Sequence, residues 1–357
     1  MYRPDQQAFV FRLRRQGKRI VEEGVSRRYT AIALIGLAGE STLDKEVILA
    51  GSDPRDVIAR LCADVGTTRN LGDAALTLWA AAANDFGDCE ALRQKVLELE
   101  PIVAGHPIVE LAWTLAALCV SGEAHAVRDR IAERLITALN MRSALFPHVA
   151  GESGPRLRRH VCCFADQVYP IHALSHYYSV TGDKRALHAA ELCATRICRE
   201  QGDAGQWWWH YDYRSGNVLE GYPVYAVHQD AMAPMALFAL RAVGGPDFTD
   251  AVGSGVAWLA KSPELGGRSL VDTSADLIWR KVARREPGKL TRYVQAIATG
   301  ASPSLRVPGM DVLFSPGAVD FEDRPYHLGW FLYAWRKNRG EKKQTTDRGT
   351  TARVPED

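Results

Sequence analysis

The densest run of chemically capable side chains lies between Gln201 and Leu240, QGDAGQWWWHYDYRSGNVLEGYPVYAVHQDAMAPMALFAL. Trp207, Trp208 and Trp209 are followed at once by His210, Tyr211, Asp212 and Tyr213, then by Tyr222, Tyr225, His228 and Asp230. Adjacent indoles cannot all turn to one side of a helix or strand. At least one is therefore expected to line a cleft, where its face stacks on a sugar ring or shields a cation. Titratable groups beside such a wall are what general acid–base chemistry requires. Asp230, Asp166, His228 and Tyr225 are the expected catalytic groups. Trp207, Trp208, Trp209, His210, Asp212 and Tyr222 are expected to bind substrate. The competing use of the same residues is aromatic packing between helices, with the polar groups as caps.

Other segments supply partners. Asp166 opens an apolar helix, where the helix dipole favours a negative charge. Asp85 ends a helix, either as a cap or as an acid. Arg156, Arg158, Arg159 and His160 are placed to clamp an anionic sugar or phosphate, and Arg159 is counted with the substrate-binding residues. The stretch DFEDRPYHLGW, Asp320 to Trp330, brings Tyr326 and His327 together with Glu322, Asp323 and Arg324. Asp276 and Trp279 are three apart and are expected to share a helix face as a structural pair. His172, His176 and His188 are expected in the core or on the surface. No metal site and no cofactor are expected. His160 and Cys163 would make half of a zinc site, but the sequence offers no second half and no CxxC pair.

Composition narrows the classes. The chain has 357 residues, 46 % hydrophobic and 24 % charged, with a net charge of +2. That suits one large globular domain and provides no strong field for nucleic acid or a membrane surface. The substrate is expected to be a small molecule or oligosaccharide. A basic start (Arg12, Arg14, Arg15, Lys18, Arg19) is expected to be a solvated helix face. No apolar stretch reaches the roughly 20 residues of a membrane span, and MYRPDQQAF is too polar for a secretory signal. The cysteines number seven, mostly inside apolar helical segments. That predicts reduced thiols in a cytoplasmic protein.

The elements that must position these groups are helical. Apolar stripes of helical period cover Tyr29 to Leu37, Ala74 to Ala83, Ile108 to Val120 and Val127 to Leu139. They resume at Phe164 to Val180, Ala186 to Cys198, Val224 to Val243, Phe248 to Leu259 and Tyr326 to Trp335. Gly87-Asp88, Ser121-Gly122, Gly182-Asp183 and Gly244 to Pro246 punctuate them as helix ends. No alternating strands, no βαβ unit and no Gly-rich phosphate loop are read. Long loops are expected over Gly202 to Tyr222 and Thr299 to Asp323. Helical hairpins that cannot bury their stripes alone must stack, so an all-α toroid over residues 1–335 is expected. An open helical solenoid would give the same stripes. The polar tail, residues 336–357, is expected to be disordered.

The segment Gln201-Gly202-Asp203-Ala204-Gly205-Gln206-Trp207 resembles the QxxxGxW repeat of squalene–hopene cyclases and protein prenyltransferase β-subunits, and Val256 to Asp272 echoes it more weakly. This resemblance implies an α/α toroid. It does not carry over the chemistry. The DxDD acid of the cyclases is missing, since Tyr222 to Asp230 holds one carboxylate and Asp272 to Asp276 is a different motif. No DDxxD occurs, and the Asp, Cys and His zinc ligands of the prenyltransferases cannot be placed. The chain is also similar to six-hairpin glycosidases, polysaccharide lyases and sugar epimerases in its helix pairing and Trp-rich loops. Inverting hydrolases of that type need an acid and a base roughly 6.5–9.5 Å apart. Lyases and epimerases need a Tyr or His base and a cation for the sugar carboxylate. The leading expectation is a carbohydrate-active hydrolase, lyase or epimerase. A terpenoid or prenyl enzyme and a non-catalytic binding toroid are the alternatives.

Overall fold

A computed structural model describes residues 1–87, 89–122, 124–151, 158–288 and 290–347. Asp88, Arg156 and residues 348–357 of the expected tail lie outside the described residues. Helices form where the stripes predict them, and local signals start and stop them. Ser26 caps α1 (Arg27–Leu37) by accepting from the Tyr29 N–H. Helix α2 (Thr42–Ile48) is short and solvated, and Asp53 caps α3 (Pro54–Val65). Asn70 caps α4 (Leu71–Ala83); α5 (Glu90–Glu98) follows. Left-handed Gly122 ends α6 (Ile108–Ser121), ahead of α7 (His125–Ala138). Left-handed Gly182 ends α8 (Ala165–Thr181), and Asp183 caps α9 (Lys184–Arg199), so the hairpin turn is as tight as its sequence implies. A π-helical turn, His228–Met232, runs into α10 (Ala233–Ala242), and α11 is Thr249–Ala260. Helix α12 spans Leu290–Ala301, α13 Met310–Leu313 and α14 Pro325–Asp347. The last crosses the boundary expected after Trp335.

Packing closes these helices into a ring. Helices α1, α4, α6, α8, α10 and α14 each pack on the next, and α14 packs back on α1. Helices α3, α5, α7, α9 and α11 lie against them from outside. The fold is an α/α toroid. Where the ring closes, helix backbones touch: a Cβ on Gly36 of α1 would collide with the Gly329 carbonyl of α14, and one on Gly329 with the Ile32 carbonyl. Only glycine at both positions permits that approach. Trp79, Trp330, Phe146 and Phe164 fill the interior, each almost completely buried.

The sequence reading is corrected at the N-terminus. After β1 (Tyr2–Arg3), the basic start is an antiparallel hairpin of β2 (Ala8–Gln16) and β3 (Arg19–Val25), not a helix face. Along β2, Phe9, Phe11 and Leu13 share one face of the strand, and Phe9 and Leu13 are buried there. Left-handed Gly17 makes the turn. The two segments expected as loops also carry strands. Strands β4 (Val161–Cys163), β5 (His210–Asp212) and β6 (Val218–Glu220) form one small sheet. Strand β7 (Val224–Tyr225) opens the stripe expected to be helical throughout. Strands β8 (Val271–Asp272) and β9 (Leu277–Ile278) pair with each other. Asp276 and Trp279 thus sit on a hairpin, not a helix, and the Trp279 indole donates to Asp272. Strand β10 (Lys281–Arg284) bridges β7 and β11 (Pro316–Asp320), while β12 (Glu322–Asp323) joins β2. Among the described residues, no helix is long and apolar enough to cross a membrane.

Candidate active site

Helices α1, α6, α8 and α14 and the π-turn before α10 present their N-terminal ends to one cavity of about 270 Å³. Arg28, Tyr29 and Ile32 come from α1, Val109 and Trp113 from α6, Ala165 and Tyr169 from α8, His228 and Met232 from the π-turn, and Tyr326 from α14. Trp209, Tyr225 and Arg280 complete the wall. Converging helix N-termini carry partial positive charge and unpaired N–H groups, so the cavity favours an anion. Arg28 is held by Asp73 (2.7 Å) and Asn70 (2.8 Å). Arg280 pairs with Glu322 at 3.0 Å and lies over the Tyr225 ring at 5.3 Å. Its Nε is buried without a hydrogen-bond partner.

A smaller hollow of about 90 Å³ adjoins, sharing Trp209 and Tyr225 with the first cavity. Lys281, Arg284 and Arg292 line it. The Arg292 guanidinium sits 5.3 Å from the Trp209 ring centre. The mouth of the toroid is thus basic and aromatic on several sides, although the chain as a whole is nearly neutral.

Proton-moving groups sit at the same end. Asp166, fully buried in the first turn of α8, accepts from the Cys163 N–H (2.7 Å) and holds His148 Nδ1 at 3.1 Å from both carboxylate oxygens. That hydrogen bond and the carboxylate charge raise the His148 pKa, against the opposing pull of burial. His148 leaves 58 % of its side chain exposed, so it is the outward face of the pair. His228 is buried, and burial pushes its pKa down to about 3, so it is neutral. Its Nδ1 has no hydrogen-bond partner. Burial raises the pKa of Tyr225 and of Tyr326. His210 stacks on Trp209 at 4.0 Å and is held neutral, first by burial and then by the charge of Arg158.

The expected site residues divide. Trp209, Tyr225, His228 and Tyr326 line the main cavity, and Tyr222 the smaller one. Trp207 is completely buried against Phe164 (5.6 Å), and its backbone N–H donates to Gln229 Oε1 (3.0 Å). Trp208 packs edge-on to Tyr222 at 6.0 Å. These two pack with the core, and of the three indoles Trp209 lines the cavity. Asp212 is buried in an ion pair with Arg214 (2.8 Å), a structural role. Asp230 turns away from the cavity and takes His327 Nε2 at 2.7 Å, so neither lines it. Arg159 is exposed, and Arg158 lies over Tyr293. His160 binds the Thr299 hydroxyl (2.9 Å) rather than a site shared with Cys163. Cys163 instead lies beside His148 and Asp166, a group whose donor atoms could together hold a metal. Asp85 follows the C-terminus of α4, at the far end of the ring, in a left-handed turn. His172 is buried and bonded to Tyr333, as a core histidine should be. His148, Arg28, Trp113 and Arg280 were missed, since each stands alone in the sequence.

The QxxxGxW segment works structurally. Gln201 Nε2 donates to the carbonyls of Gly205 and Ala251, both at 2.9 Å, tying the connector to α11. No family profile and no curated protein matches the chain. Solved structures do. An unsaturated glucuronyl hydrolase specific for heparin superposes with a TM-score of 0.60 at 13 % identity, covering 95 % of this chain and 92 % of that one. An unsaturated glucuronyl hydrolase from Bacillus sp. GL1 gives 0.59 at 14 %, over 94 % and 92 %. A family 105 glycoside hydrolase from C. acetobutylicum gives 0.53 at 13 %, over 88 % and 93 %. This chain shares the α/α-toroid fold with these structures.

Proposed function

We propose that the protein is a carbohydrate-active enzyme that cleaves or rearranges an oligosaccharide carrying an acidic sugar, by general acid–base catalysis. One observation carries the reading: an aromatic cavity onto which helix N-termini, Arg28 and Arg280 all converge. Trp209, Trp113 and Tyr225 offer ring faces to a pyranose. Arg280, with Arg28, neutralises its carboxylate. His148, held by Asp166, passes the proton, and neutral His228 hydrogen-bonds the sugar.

No carboxylate lines the cavity among the described residues. A pair of facing acids, as inverting hydrolysis needs, is therefore not the arrangement assigned. The base-and-cation set suits chemistry beside a sugar carboxylate. The similar structures are named for glucuronyl hydrolysis, which fits an acidic substrate. The basic aromatic wall gives an isoprenoid tail no apolar tunnel. The seven free cysteines support a reducing, cytoplasmic location, and residues 1–335 are read as the catalytic domain.

The test is a product assay. Saturated and unsaturated uronate-terminated oligosaccharides are incubated alongside neutral gluco- and manno-oligosaccharides. Turnover of acidic substrates alone, abolished in Arg280→Ala, is expected. Equal turnover of neutral ones, or none of any acidic one, would overturn the proposal.

A further inference from the structure

Helix α14 has a second cavity on its other side. Tyr326 faces the proposed active site, while the next residue, His327, lines a separate space of about 490 Å³. This volume lies within the roughly 300–1,000 Å³ common for small-molecule sites. Phe9, Leu13, Ile48, Ile278, Leu328 and Phe331 give it an apolar wall. Its polar lining residues include Asp323, His327, Asp276 and Tyr2. No lysine or arginine is among its described lining residues.

The charges at that end do not cancel. His327 is already committed to Asp230 at 2.7 Å, while its other nitrogen is 4.0 Å from Asp323. Asp323 accepts from the Arg324 N–H, but the Arg324 guanidinium turns to Glu322 and Tyr29. The N-terminal ammonium pairs with Glu22 at 3.5 Å. Asp323 thus gives the cavity a carboxylate whose nearest cation, His327, is shared with Asp230 and stands at the longer distance. Burial, partly offset by His327, pushes the Asp323 pKa up to about 6. The Tyr2 hydroxyl is buried with no hydrogen-bond partner.

We propose that this cavity binds a small amphiphilic amine, with its hydrocarbon part on the apolar wall and its ammonium at Asp323. An ammonium would give Asp323 a closer charged donor than His327 does at 4.0 Å. An alkyl carboxylate would meet like charge, and an alcohol would gain only the apolar contact. The inference does not rest on the reading of the first cavity, which uses other residues.

Calorimetry with n-octylamine, 1-octanol and octanoate on the whole protein tests it, all below their aggregation concentrations. Saturable octylamine binding is expected, at least tenfold tighter than octanol, with octanoate weakest. Asp323→Asn should erase the preference for amine over alcohol. Asp276→Asn, at an exposed left-handed turn that asparagine tolerates, should reduce it and serves if the first variant does not fold. Ile278→Trp, which fills the cavity, should weaken both amine and alcohol while leaving turnover of any sugar substrate unchanged. Equal affinity for octylamine and octanol, absence of saturable binding, or a preference that survives both aspartate substitutions would overturn the proposal.

Discussion

The His148–Asp166 pair gives a pH signature that a merely structural role would not. The carboxylate raises the imidazole pKa in the folded protein, so the stabilisation is present below the unfolded value and lost as pH rises through the folded one. If protonated His148 supplies the proton, activity falls along the same limb. Asp166→Asn should shift that limb to lower pH and cut kcat by about 10²–10⁴-fold, read from pH–rate profiles and a histidine NMR titration. His148→Gln should abolish the limb altogether. Asp230→Asn, in contrast, is expected to act through His327 and to cost stability more than turnover. At this scale the sequence was only half legible. The WWW run announced a wall, yet its geometry assigns one indole to the cavity and two to the core. Asp166 could be suspected because it opens an apolar helix. His148 could not, because its meaning comes from a partner eighteen residues on whose distance only folding sets.

At the scale of elements, periodicity found the helices that build the inner ring, because each buries a broad stripe. It missed the solvated α2, which has no buried residue and so no stripe to read. It also missed the N-terminal hairpin, where alternating arginines imitate a charged helix face. The π-turn at His228–Met232 was invisible for another reason: an added residue per turn leaves composition untouched. That turn faces His228 to the aromatic cavity and Asp230 to α14. Two substitutions probe how elements meet. Gly36→Ala should destabilise the fold by about 1–3 kcal/mol, as overpacking does, seen as a lower denaturation midpoint with unchanged slope. Trp207→Ala should cost about 3–5 kcal/mol and loosen the connector that carries Trp209. Little loss in either would mean that the helices part easily or that the connector holds itself.

Over the whole molecule, charge is distributed rather than large. A net charge of +2 hides a mouth where Arg28, Arg280, Lys281, Arg284 and Arg292 gather with the helix ends. Affinity for an acidic oligosaccharide should therefore drop several-fold as salt rises toward roughly 1 M, where screening lengths fall to about 3 Å. Titration calorimetry at stepped ionic strength measures this. A flat response would place the recognition in stacking rather than charge. The overall balance of acids and bases suggested only that no strong field reaches nucleic acid or a membrane, and it hid the basic mouth because composition averages over a surface that folding has sorted.

The Gly36–Gly329 contact has a consequence for biosynthesis. Helix α1 leaves the ribosome long before α14, its neighbour in the closed ring. At roughly 5–20 residues per second the wait is on the order of tens of seconds. Throughout it, the side of α1 that will meet α14 stays open to chaperones, proteases and other nascent chains. A translation pause placed just before Pro325 would lengthen that exposure without altering one contact of the finished protein.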